Sequence, residues 1–102
     1  MLREMLAAFD AMSVKELASE SLVTNNGQFC ALGALGNKRN LDMSELEPTE
    51  PDDVAHAFKV ARALVCEVVY ENDECGPHEE TTVQRWIRMR AWVVANIVSV
   101  KP

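Results

Sequence analysis

Three groups of turn-forming residues cut this chain into short pieces and constrain its fold more than any other feature. Asn25-Asn26-Gly27 tolerates positive φ, the polar stretch from Asn37 to Pro51 carries two prolines, and Gly76-Pro77 makes a loop of Asn72 to His78. The pieces left between them suit short helices. With 102 residues the chain is long enough for one domain, 1–102, and one hydrophobic core. The expected fold is therefore all-α, a compact bundle of about four to five short helices.

Leu2, Met5, Leu6 and Phe9 recur at helical spacing and predict an amphipathic helix over about 2–12. Ser13 and Glu16 stand at the spacing of a capping box, which predicts a second short helix from Val14 to about Leu22. Phe29 to Leu35 is apolar, with Gly33 inside and Gly36 after it, and reads as a short buried helix whose glycines admit a close neighbour or end it. The polar connection that follows has room for one turn around Met43 to Leu46. Thr49 is the expected cap of a helical segment over 52–71, with Pro51 in its first turn and a stripe of Val54, Phe58, Ala61, Val65 and Val68. Whether that segment breaks near Lys59 stays open at this level. Thr81 and Gln84 form another capping box and open a last helix running to about Val98; this helix and the 52–71 segment are the longest expected. On it Trp86, Met89, Val93 and Ile97 share one face, and Arg85, Arg88 and Trp92 share another.

Charge narrows the classes of partner. Sixteen acidic residues against ten basic ones give a net charge of -6, unfavourable for a phosphate backbone, whose affinity comes mostly from neutralising cations. A host protein with a basic surface is the better expectation, and nucleic acid the poorer. Val60 to Val69 is interrupted by Arg62 and Glu67 and is too short to span a membrane, and Met1 to Met12 carries Arg3, Glu4 and Asp10, unlike the apolar run of a signal peptide. Those features point to the cytoplasm, as do three irregularly spaced cysteines that make no disulfide framework. The chain is expected as a monomer or a small homo-oligomer.

Several residue runs resemble a family of small uncharacterised phage and prophage proteins: Phe29-Cys30-Ala31-Leu32-Gly33, the stretch from Val68 to Glu74, Glu80-Thr81, Gln84-Arg85-Trp86 and Arg90-Ala91-Trp92-Val93. The family pattern is FCALG, a helix ending in NDE, then ETPEQRW and an RAWV helix. Two departures occur: Thr82 replaces a proline, and Phe58-Lys59 stands where a glycine often breaks the middle helix. The resemblance implies a phage origin and carries no activity with it.

Chemistry-bearing residues gather in two places. Glu71, Asn72, Asp73 and Glu74, with Glu79 and Glu80 across the loop, concentrate carboxylates that suit a hard cation or a basic partner. Local Asx hydrogen bonding is the competing and favoured explanation, and the alternating-oxygen spacing of a calcium loop is absent. Arg85, Arg88 and Trp92, with Arg90 nearby, form the basic-aromatic cluster that suits a nucleotide or a phosphate. Here too the favoured account is internal, with these arginines paired to acids of the Glu67 to Glu80 region. Cys75 and His78 have a metal-like spacing, but Cys30, Cys66 and His56 supply no second pair, so no metal or other cofactor is expected. Neither a Cys/His dyad signature nor a phosphate loop around Gly33-Ala34-Leu35-Gly36 is present, and no enzymatic activity is expected. Asp42 to Asp53 and Glu67 to Glu80 hold six acids each. If they merge, the expectation is an accessory protein that binds its partner through an acidic face, as anti-CRISPR-like inhibitors do. The alternative is a small-molecule binder, such as a nucleotide-signal sponge, with Arg85, Arg88 or Trp92 beside Asn72 and Asp73.

Overall fold

The computed structural model describes residues 1–97. Among them are five helices: α1 Leu2–Ala11, α2 Ala31–Lys38, α3 Pro51–Phe58, α4 Arg62–Glu74 and α5 Thr82–Asn96. No strand is present among the described residues, only an isolated antiparallel bridge between Val23 and Phe29. α2 is the central element: Ala31 to Gly36 are buried without interruption, and α1 and α4 both pack on it. α5 packs on α1 and α4, and α3 on α4, so α1, α2, α4 and α5 enclose one core of Met5, Phe9, Leu32, Leu35, Val65, Met89 and their neighbours.

The expected helix from Val14 to Leu22 does not form. Residues 12–30 run without helix over the bundle, yet Leu17, Ala18 and Leu22 are buried. Tertiary partners have replaced the local ladder: the Leu17 amide donates to Thr82 O at 3.0 Å and the Ala18 amide to Phe29 O at 2.8 Å. Glu16 accepts from Gln28 Nε2 at 3.1 Å instead of closing a capping box. Lys15 turns back, donating to the carbonyls of Asp10 and Met12, and so satisfies the end of α1. The turn at Asn25-Asn26-Gly27 is present, closed by the Gly27 amide on Thr24 O and the Gln28 amide on Thr24 Oγ1.

The segment 52–71 is two helices. Lys59, at φ 58 and ψ 47, caps α3 in the left-handed region, and Arg39 Nη1 donates to Phe58 O at 2.7 Å. Thr49 is not the cap; Glu50 takes that position with no side-chain hydrogen bond, and Pro51 opens the helix. α4 continues through Asn72, Asp73 and Glu74, so the loop begins at Cys75 and not at Asn72. The Thr81–Gln84 capping box forms with both reciprocal bonds, at 3.0 and 2.9 Å. Met89 and Val93 on the expected face of α5 are fully buried; the expected end at Val98 lies outside the described residues.

Two exposed arginine pairs tie α1 to its neighbours: Arg39 to Glu4, and Arg90 to Asp10. In each, the arginine's hydrogen bond holds the carboxyl below its ordinary value of 4.5 for Glu4 and 3.8 for Asp10. A carboxyl with a lowered folded-state value stabilises the fold above its ordinary value and loses that contribution as pH falls through its folded-state value. The expected result is a Tm that declines as pH falls below 4.5, and a shallower decline in the Glu4→Gln, Asp10→Asn double variant. A thermal unfolding series across pH reads it directly; identical slopes for the two proteins would contradict it.

Candidate functional site

Arg88 organises the loop end of the bundle. Its guanidinium donates to both Glu80 carboxylate oxygens (2.6 and 3.0 Å), to Glu71 Oε2 (3.1 Å), and to the backbone carbonyls of Glu71 (2.9 Å) and Asn72 (3.2 Å). Those two carbonyls belong to the last turn of α4, where no intrahelical donor remains. Arg88 therefore caps α4 and places a positive charge at the negative end of its dipole. That charge offsets the acids of the NDE stretch, which would otherwise oppose the dipole. The Glu80 side chain is only 3% exposed, and its hydrogen bond and charge raise the Arg88 pKa still further. Gly76 crosses directly over this pair, where a Cβ would run into the Glu80 carboxylate and stand 2.9 Å from Arg88 Nε.

Asn72 is the buried polar residue beneath it, 2% exposed. Its Oδ1 accepts from the Ala31 amide at 3.1 Å, satisfying an orphan donor in the first turn of α2, and its Nδ2 donates to Ala18 O at 3.0 Å. Asp73 Oδ1 accepts from Asn72 Nδ2 and from the Glu20 amide. One side chain thus stitches α4 to α2 and to the non-helical segment, and this explains how residues 17–22 are buried without helix.

The residues singled out in the sequence consequently divide. Glu71, Asn72, Asp73, Glu80, Arg85 and Arg88 converge, but on each other: Arg85 Nη1 donates to Leu17 O, and its Nε lies 3.3 Å from Glu80. Five N–H···O contacts occupy the five donors of Arg88, leaving none for a phosphate. Trp92 packs partly buried against the core. Glu74 and Glu79 stay exposed and lie outside this network. Cys75 is exposed and Cys30 is the N-cap of α2; burial raises the Cys30 thiol to about 11, and partial desolvation with the neighbouring Glu71 carboxylate raises that of Cys75, the direction opposite to nucleophile activation. Among the described residues no group of three metal-ligating side chains comes together.

Outside this network lies an acidic surface. All six acids between Asp42 and Asp53 are exposed, as are Glu67, Glu74 and Glu79. The two acidic stretches adjoin, since Pro48 lines the same crevice as Val68, Val69, Asn72 and Asp73. Among the described residues, Asp52 is the only one of these nine exposed acids in an ion pair, with Arg62. Arg39, Arg85, Arg88 and Arg90 are held by other acids.

Two further cavities were not legible in the residue pattern. One of about 570 Å³ lies between the end of α1, residues 13–16, the turn at Asn26 to Phe29 and α2, and includes Met12, Glu16, Phe29, Ala34 and Lys38. A second, about 400 Å³, continues from Phe29 and Asn37 to Asp42, Met43 and Glu47. Their walls come from segments far apart in the chain, so no local spacing marks them. No family model, curated protein or solved structure matches the chain.

Proposed function

We propose that this chain is a non-enzymatic phage accessory protein that binds a host protein through its acidic face, as an anti-defence inhibitor occupying a nucleic-acid channel would. The observation that carries this reading is the division of charge. Five of the six arginines, Arg39, Arg62, Arg85, Arg88 and Arg90, are consumed inside the fold or in pairs at its surface, whereas Asp42, Glu45, Glu47, Glu50, Asp53, Glu67, Glu74 and Glu79 have no ion pair among the described residues. An unneutralised acidic face steers a basic partner and rejects phosphate. The residue runs from Phe29-Cys30 to Trp92-Val93 support the phage origin as a resemblance.

The test is capture from bacterial lysate on the immobilised full chain. Nucleic-acid-binding proteins should be retained at about 0.15 M salt, released at about 1 M as the screening length falls from about 8 Å to about 3 Å, and displaced by added RNA or DNA. Reversal at Glu45→Lys, Glu47→Lys and Glu50→Lys should abolish retention without lowering Tm. Retention that survives both high salt and the triple reversal would sink the proposal.

A further inference from the structure

The two cavities along α2 lie side by side, Phe29 and Asn37 lining both, as two lobes of one face. None of its lining residues belongs to the Arg88 network. We infer that this two-lobed groove receives a short extended segment of the basic partner, whose apolar side chains enter the lobe lined by Met12, Phe29 and Ala34. The inference rests on the acidic-face reading and adds to it the apolar anchor that charge alone does not supply.

Three observations select that occupant. The larger lobe, at about 570 Å³, lies within the size range of sites that enclose a ligand's apolar parts. Val14 (59% exposed) lines one lobe and Val23 (41% exposed) the other, so two of the large hydrophobic residues that the fold leaves in water border the groove. Its charged residues are Glu16, Asp42 and Glu47 against the single cation Lys38. That balance repels phosphate and carboxylate ligands and favours arginine or lysine at intervals along the occupant. A compact cation would need one lobe only. Two neighbouring lobes, one bordered by Glu16 and the other by Glu47, match an extended chain, whose alternate side chains face the protein and whose others meet the acidic rim.

The probe is a synthetic peptide of roughly seven alternating leucine and arginine residues, about 23 Å long when extended. Added to the isotope-labelled full chain, it should shift the amide resonances of Met12, Gly27 and Asn37, while a leucine–glutamate peptide should shift none. Ala11 is exposed at the end of α1 and borders the larger lobe, so Ala11→Trp fills the groove from a position that tolerates size. That variant should keep the parent Tm and weaken the peptide about tenfold or more, and Lys38→Glu should tighten it several-fold. Absence of binding, or binding unchanged by Ala11→Trp with shifts confined to residues 48–53 and 67–79, overturns the groove. If partner capture is lost on the triple glutamate reversal but unaffected by Ala11→Trp, the groove falls and the acidic-face reading stands. If capture ignores the reversal, that reading falls and the groove with it.

Discussion

Arg88→Ala is expected to lower stability by about 3–5 kcal/mol, the range for removing one partner of a buried pair and leaving the other uncompensated. Glu80, with its side chain 3% exposed, would be left with only Arg85 beside it, and the carbonyls of Glu71 and Asn72 would lose their donor. A domain of this size loses about 4 °C or more of Tm per kcal/mol, so the fall should be at least about 12 °C. Arg88→Lys should recover only part of it, because a single ammonium cannot serve four separate acceptor groups as the planar fork does. Glu79→Ala, one residue from Glu80 but exposed, should stay within about 0.5 kcal/mol of the parent. Denaturant unfolding of the three variants decides the matter. An Arg88→Ala protein with parental stability would show that the cluster is not a structural staple and would reopen Arg88 as a ligand-binding group.

Gly33→Ala should be nearly as damaging, although alanine is the better helix former by about 1 kcal/mol. A Cβ at this position would overlap the Leu22 carbonyl oxygen and lie 2.8 Å from its carbon and 3.2 Å from Phe29 Cβ. The obstacle is backbone and cannot rotate away. Relief requires the buried 17–22 segment to lift off α2, breaking the bond from the Cys30 amide to Leu22 O. Overpacking of this kind costs about 1–3 kcal/mol, and the lost hydrogen bond adds about 1 kcal/mol, so a net loss of about 3 kcal/mol is expected at the upper end. Circular dichroism should show a lowered Tm with the native helix content retained in the cold. A stabilised alanine variant would mean that Leu22 does not pass over α2.

Local signals were most legible where the chain satisfies itself. The Thr81–Gln84 box, the stripe of Met5 and Phe9 on α1, and the buried character of Cys30 to Leu35 depend on neighbours within four residues, and each is present, although the helix starts only at Ala31 and Phe29 is partly buried outside it. Ser13 and Glu16 carry the same capping-box letters, but no helix follows them. There the competing partners are remote: Thr82, Phe29 and Asn72 supply the hydrogen bonds that a helix over 14–22 would have made internally. Nothing in the residues from Val14 to Leu22 announces this. The paired fate of Arg88 follows from abundant nearby acids, but its role as a cap on α4 does not, because the carbonyls it meets are 16 and 17 positions away.

By itself the sequence determined an all-helical chain with a single stripe on each main helix, two acid-rich stretches and no paired metal-ligand motif, all of which are short-range properties of residue type and spacing. Only the tertiary structure decided which acids became internal. Glu71, Asp73 and Glu80 turn toward arginine, amide and asparagine donors, while Glu74, Glu79 and the whole Asp42 to Asp53 stretch remain in water. The physical reason is that a carboxylate's environment is set by what folding carries to it, and the groove along α2 is likewise made by segments that meet only when the core closes.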